Sequence, residues 1–196
     1  MENSHDFLFT HLEKKINLTS DEKEIIRTFF MPKKLKKKQF LLTEGSQCTH
    51  LAFVTKGLLK AYNTDERANE HISQFSPEGW WTSDMSSFFS DQASFYSIDA
   101  IEDSEVLLIA SEDFENLMLQ VPAMDRYFRI LFQNSLITKE RRLISSQTHT
   151  AEEKYRLVLE QSPEIISRVP QIHLASYLGL TPETLSRLKR QLLFGK

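Results

Sequence analysis

Glu183, Thr184, Arg187 and Arg190 carry the best-spaced hydrogen-bonding chemistry in this chain of 196 residues. An arginine presents a planar fork that bonds guanine bidentately in the major groove, and a glutamate accepts from cytosine. Thr181 heads the same segment and Gln171 heads the one before it; both positions suit phosphate and backbone contacts. At about 100° per residue, Glu183, Arg187 and Arg190 fall on one side of a helix and Leu185, Leu188 and Leu192 on the other. The leucines would fix the helix to its domain and leave the charged side free. Lys189 and Lys196 add to a local basic patch.

Two short helices and a tight turn would position these groups. Pro170 suits a helix start, where its missing N–H costs nothing. Leu174, Ala175 and Leu178 recur at helical spacing, and Gly179 suits the left-handed residue that ends a helix. Thr181 is a good N-cap, Pro182 a good first residue, and Glu183 favours the positive end of the helix dipole. The arrangement is that of a helix-turn-helix whose second helix enters the major groove. A plain helical hairpin with a solvated charged face is the alternative.

The composition narrows the classes. Hydrophobic residues make up 40% of the chain, enough for one or two domains with real cores. The net charge is −3, so nucleic-acid affinity must come from a local patch rather than from the whole surface. Cys48 is the single cysteine, which excludes an internal disulfide and fits a reducing, cytoplasmic setting. It reads as a small buried residue rather than a redox sensor. No signal peptide and no membrane span are expected. His5, His11, His50, His71, His149 and His173 form no metal-ligand pattern, which leaves only haem ligation open. No nucleophile triad or carboxylate pair stands out, so enzyme activity is not expected.

In chain order, residues up to about Met31 read as helical, ended by Pro32. The basic run 33–38 reads as a charged edge strand, ahead of a nucleic-acid or membrane surface. Short strands follow at 40–42, 51–54, 58–62, 71–75, 97–100 and 105–109, separated by regular turns. Between them, residues 80–89 are rich in aromatic and hydroxyl groups; they could line a ligand pocket or form a core helix with a polar side. Helix is expected from about Ser111, interrupted at Val121-Pro122 and then continuous to Ser146, a rod of roughly 37 Å. Its broad apolar stripe could pack partly on the sheet and partly on a second copy. Residues 145–150 read as a hinge and 151–160 as a further helix.

This order resembles the Crp/Fnr superfamily of bacterial transcription regulators. Glu44-Gly45, Lys56-Gly57, Pro77-Glu78-Gly79 and the stretch from Gly179 to Arg187 carry the resemblance. It implies an α+β chain: an antiparallel jelly-roll sandwich of cyclic-nucleotide-binding type (1–120), a long dimerisation helix (121–147) and a helix-turn-helix domain (148–196). It further implies a homodimer on palindromic double-stranded DNA, a small-molecule effector, and RNA polymerase as a candidate partner; effector, cofactor and target genes stay unidentified. Pro182 stands where the family's recognition helix often has its first arginine, so one base contact would be missing. The segment after Arg190 is too short for the family's usual wing. A sensor or interaction module with a vestigial helix-turn-helix is the alternative.

The ligand site departs further from the family. The expected pocket residues are Gly79, Trp80, Ser83, Asp84, Ser94 and Phe95. Ser83-Asp84 stands in place of the Gly-Glu pair that binds ribose, and Ser94-Phe95 in place of the Arg-Ser pair that binds phosphate. Loss of a hydrogen bond to a charged group costs about 1.5–3 kcal/mol, or one to two decades of affinity. Cyclic AMP is therefore not the expected effector.

Overall fold

The computed structural model describes residues 2–90 and 92–194. Two helices lead, α1 (Glu2–Leu12) and α2 (Ser20–Phe29). A reciprocal capping box between Thr19 and Glu22 starts α2. The helix ends at Phe29, and Pro32 lies instead inside strand β1 (Met31–Leu35). Proline is tolerated there because β1 is an edge strand, paired only with β8. The lysines that follow are exposed, as a charged edge should be.

The strands are β1, β2 (Phe40–Leu42), β3 (His50–Lys56), β4 (Leu59–Thr64), β5 (Glu70–Ser76), β6 (Trp81–Thr82), β7 (Ser97–Ala100) and β8 (Ser104–Ala110). They form two four-stranded antiparallel sheets, ordered β1-β8-β3-β6 and β2-β7-β4-β5. Both sheets contribute to one apolar core that includes Leu42, Val54, Ile98 and Val106. The first sheet is buried on its far side too. Phe53 meets Phe7 and His11 of α1, and Trp81 meets Phe128 and donates from Nε1 to the Tyr127 hydroxyl at 2.8 Å. This explains why β3 is a continuous apolar run rather than an alternating one.

Helices α3 (Met85–Phe88), α4 (Ser111–Gln120), α5 (Pro122–Thr148), α6 (Ala151–Gln161), α7 (Pro163–Arg168), α8 (Gln171–Leu178) and α9 (Pro182–Phe194) are the remaining elements among the described residues. The break between α4 and α5 falls at Val121, with Pro122 opening the long helix. Met124, Tyr127 and Phe128 bury its first turns, whereas Leu136, Leu143 and Ile144 are about 60% exposed. The helix runs to Thr148, so the expected six-residue hinge shrinks to His149 and Thr150. Thr150 caps α6 in a second capping box with Glu153.

A second apolar core joins the outer face of the β2-β7-β4-β5 sheet to the C-terminal helices. Leu58, Tyr62, Ile72 and Phe75 share it with Tyr155, Leu174, Leu185 and Leu188. The C-terminal unit is thus seated on the sandwich, a docking that the sequence did not foreshadow.

Candidate nucleic-acid interface and sensor pocket

Leu174, Ala175 and Leu178 pin α8 into the second core. Gly179 ends the helix at φ +69°, and the Leu180 N–H reaches back to the Ala175 carbonyl at 2.9 Å. Nothing would meet a Cβ at Gly179, so glycine is required there for its backbone angle and not for space. The Thr181 hydroxyl then accepts the Thr184 N–H at 3.2 Å and caps α9. The N-cap, the first-turn proline and the left-handed glycine all stand where the sequence pattern puts them.

The faces of α9 separate as the leucine spacing requires. Leu185 and Leu188 are buried, and Leu192 packs against the same core. Glu183, Arg187 and Arg190 are exposed, with Gln171 and Thr181 exposed beside them and Thr184 half-buried. Among the described residues neither Arg187 nor Arg190 has an ion-pair partner. Its own backbone N–H, followed by the Thr181 hydroxyl, holds the Glu183 carboxyl below its ordinary pKa. Lys189 departs from the expected patch: its Nζ sits 5.8 Å over the Tyr155 ring, turned back toward α6. Lys196 lies outside the described residues. The sequence pattern also passed over Ile172, 63% exposed at the head of α8 beside Gln171.

The six expected pocket residues serve different ends. Gly79 turns at φ +81°, where a Cβ would come within 3.3 Å of His11 Nδ1. Trp80 is exposed, and so is the Phe95 ring. Asp84 is 2% exposed and caps α3 through the Ser86 and Ser87 N–H groups. It also accepts from Ser94 Oγ and the Phe95 N–H, both at 2.9 Å. Positions 84, 94 and 95 therefore do meet, but to close their own loop. A carboxylate has about four acceptor sites, and all are taken.

A cavity of about 240 Å³ opens beside this loop, lined among others by Lys33, Leu42, Cys48, His50 and Ser83. Ser83 is the expected pocket residue that reaches it. Cys48 is buried, 3.1 Å from the Ser83 hydroxyl. Burial first, and Lys33 second, lower the His50 pKa, so this wall is neutral imidazole at neutral pH.

Comparison with known proteins agrees with this geometry. Residues 32–121 match the cyclic nucleotide-binding domain family. The transcriptional regulatory protein btr of Bordetella pertussis is 30% identical over 100 residues, 45% of this chain and 41% of that protein, so the match spans under half of that relative's length. FixK2 from Bradyrhizobium japonicum superposes with a TM-score of 0.71 at 20% identity, over 84% of each chain. A protein from Eubacterium rectale, described as a transcriptional regulator of the Crp/Fnr family, superposes with a TM-score of 0.67 at 17% identity, over 90% of this chain and 84% of its own. The sandwich at residues 32–121 is accordingly similar to cyclic nucleotide-binding domains, and the chain as a whole shares the fold of FixK2 and of the Eubacterium rectale protein.

Proposed function

We propose that this protein is a sequence-specific DNA-binding transcription regulator that works as a homodimer. One observation carries the reading: α9 is locked to the core by Leu185 and Leu188 while Arg187, Arg190 and Glu183 stand free on its outer face. Arg187 and Arg190 supply the guanidinium forks, Glu183 and Thr184 the polar complement, and Gln171 and Thr181 the phosphate contacts. The exposed apolar stripe of α5, with Leu136, Leu143 and Ile144, supplies the contact between copies. At about 1.5 Å per residue its 27 residues span roughly 40 Å, the scale of one turn of duplex between half-sites.

Control runs through the sandwich, whose effector is not cyclic AMP: Ala93 and Phe95, not an arginine, flank Ser94 in the chain, and Asp84 is saturated by its own loop. An effector that prefers one arrangement of the two α9 helices shifts the population toward it. The test is selection of duplexes from a random pool, followed by a mobility shift on the winner. A palindromic winner supports the reading. A pool that stays random at low salt rejects it.

A further inference from the structure

Arg168 closes α7 in the C-terminal unit, yet its guanidinium grips the sandwich. Nη1 donates to Glu78 Oε2 at 2.8 Å and Nη2 to Glu78 Oε1 at 3.0 Å, a fork on a fork, and Nη2 also bonds the Glu102 carboxylate. Glu78 immediately precedes Gly79, where the 79–96 segment begins. Glu102 lies between β7 and β8, past the other end of that segment. The Gly57 N–H donates to Glu78 Oε1 at 2.7 Å, and Ser104 Oγ accepts the Leu58 N–H at 3.2 Å and donates to the Glu102 carbonyl at 2.8 Å. A Cβ on Gly57 would fall 2.7 Å from the Ser104 Cα, so no other residue fits there. Three turns of the sandwich, β3–β4, β5–β6 and β7–β8, thus converge on one guanidinium.

The pair is partly shielded, with 24% of the Arg168 side chain and 35% of the Glu78 side chain exposed. Burial opposes ionisation of Glu78, but the Arg168 fork, then the Glu78 and Gly57 backbone N–H groups, outweigh it and hold the carboxyl below its ordinary pKa. Other contacts seat the same unit on β5, the edge of its sheet. Ser176 Oγ donates to the Glu70 carbonyl at 2.6 Å and accepts the Ile72 N–H at 3.0 Å, in place of a missing strand. Arg142 of α5 bonds the Ser73 and Tyr177 carbonyls and lies 3.8 Å over the Tyr177 ring. None of these others touches the flanks of the 79–96 segment.

We propose that Arg168 is a positioning residue that couples the 79–96 segment of the sensor to the helix-turn-helix. A molecule that moves Glu78 must also move α7, and α8 and α9 with it. For its functional consequence, though not for its geometry, this rests on the reading of α9 as a DNA-binding helix. Coupling between two sites is reciprocal, so DNA at α9 must in turn quiet the 79–96 segment.

Hydrogen exchange on the full-length chain tests this, with the duplex recovered by selection as the probe. In the parent protein the duplex slows exchange across 79–96; in Arg168→Gln it does not, although α9 is still protected. Without DNA, Arg168→Gln exchanges about tenfold faster at Gly57 and across 79–96, while α1 and β8 keep their rates. Arg168→Lys, which keeps the charge and loses the fork, falls between. Glu78→Gln reproduces the loss, and the double variant is no worse than either single one. Equal protection of 79–96 by DNA in the parent and Arg168→Gln overturns the proposal. If the parent binds no duplex, the DNA reading has failed, and the coupling is judged by the DNA-free exchange alone: an unchanged rate at Gly57 and 79–96 in Arg168→Gln overturns it.

Discussion

Asp84 accepts four hydrogen bonds from its own loop and has none left for a ribose hydroxyl. Isothermal calorimetry should therefore show no binding of cyclic AMP at micromolar concentrations, and a micromolar isotherm would refute this account of the pocket. Asp84→Ala strands buried donors and should cost about 1–3 kcal/mol in chemical denaturation. His173 gives a pH signature. It is half-buried between α8 and the sheet, and burial first, then Lys60, lower its pKa from 6.5, with Glu70, whose carboxylate is 3.4 Å from His173 Nδ1, and Asp99 pulling the other way. The released unit therefore binds the proton more readily than the docked one. Docking is at full strength above pH 6.5 and weakens as pH falls through the lowered value. Asp99, whose pKa burial raises against the pull of Lys60, has the opposite sign. Stability of the C-terminal unit should drop as pH falls below 6.5, and His173→Gln should flatten that drop; parallel curves would contradict it. At this scale the α9 residues were legible because helical periodicity alone separates Leu185 from Arg187. Arg168 was not, because its partners Glu78 and Glu102 are 90 and 66 residues away in sequence.

The second helix of the helix-turn-helix depends on burial of Leu185, which is fully enclosed. Leu185→Ala should destabilise the chain by about 2–5 kcal/mol in urea melts, whereas Arg187→Ala should leave stability within about 0.5 kcal/mol. The long helix makes the next prediction. Leu143→Glu with Ile144→Glu places charge on the exposed stripe of α5 and should shift sedimentation from the proposed dimer toward the monomer; an unchanged sedimentation coefficient would contradict the assignment of this stripe as the contact between copies. Long or strongly patterned elements were readable in advance: α5 from its apolar stripe, β1 as a charged edge, α8 and α9 from their caps and turn. β6, of two residues, and α7, of six, were not, because neither is long enough to show a period. The hinge was placed too broadly for a similar reason. Ser, Gln and Thr at 145–148 look like loop residues, yet they continue α5 until Thr150 and Glu153 start a new helix.

As a whole, the molecule has one sheet backed by its N-terminal helices and the other by its C-terminal unit, so the second core belongs to both halves of the chain. The antiparallel sandwich could be read from turn spacing, but the docking could not. It joins residues more than 100 apart, such as Ser176 and Glu70, and sequence periodicity carries no information about such pairs. A shared core and a guanidinium bridge tie the helices from α7 to α9 to the sandwich, as the proposed control of α9 by the sandwich requires. All of this matters only if the outer face of α9 reads DNA. The most direct measurement is fluorescence anisotropy, at one fixed salt concentration, of the selected duplex with the parent protein and with Arg187→Ala. The account predicts a loss of about 1–3 kcal/mol, or roughly 5- to 150-fold in affinity, on that duplex and little change on unrelated DNA. Equal affinities of the two proteins for the selected duplex would contradict it.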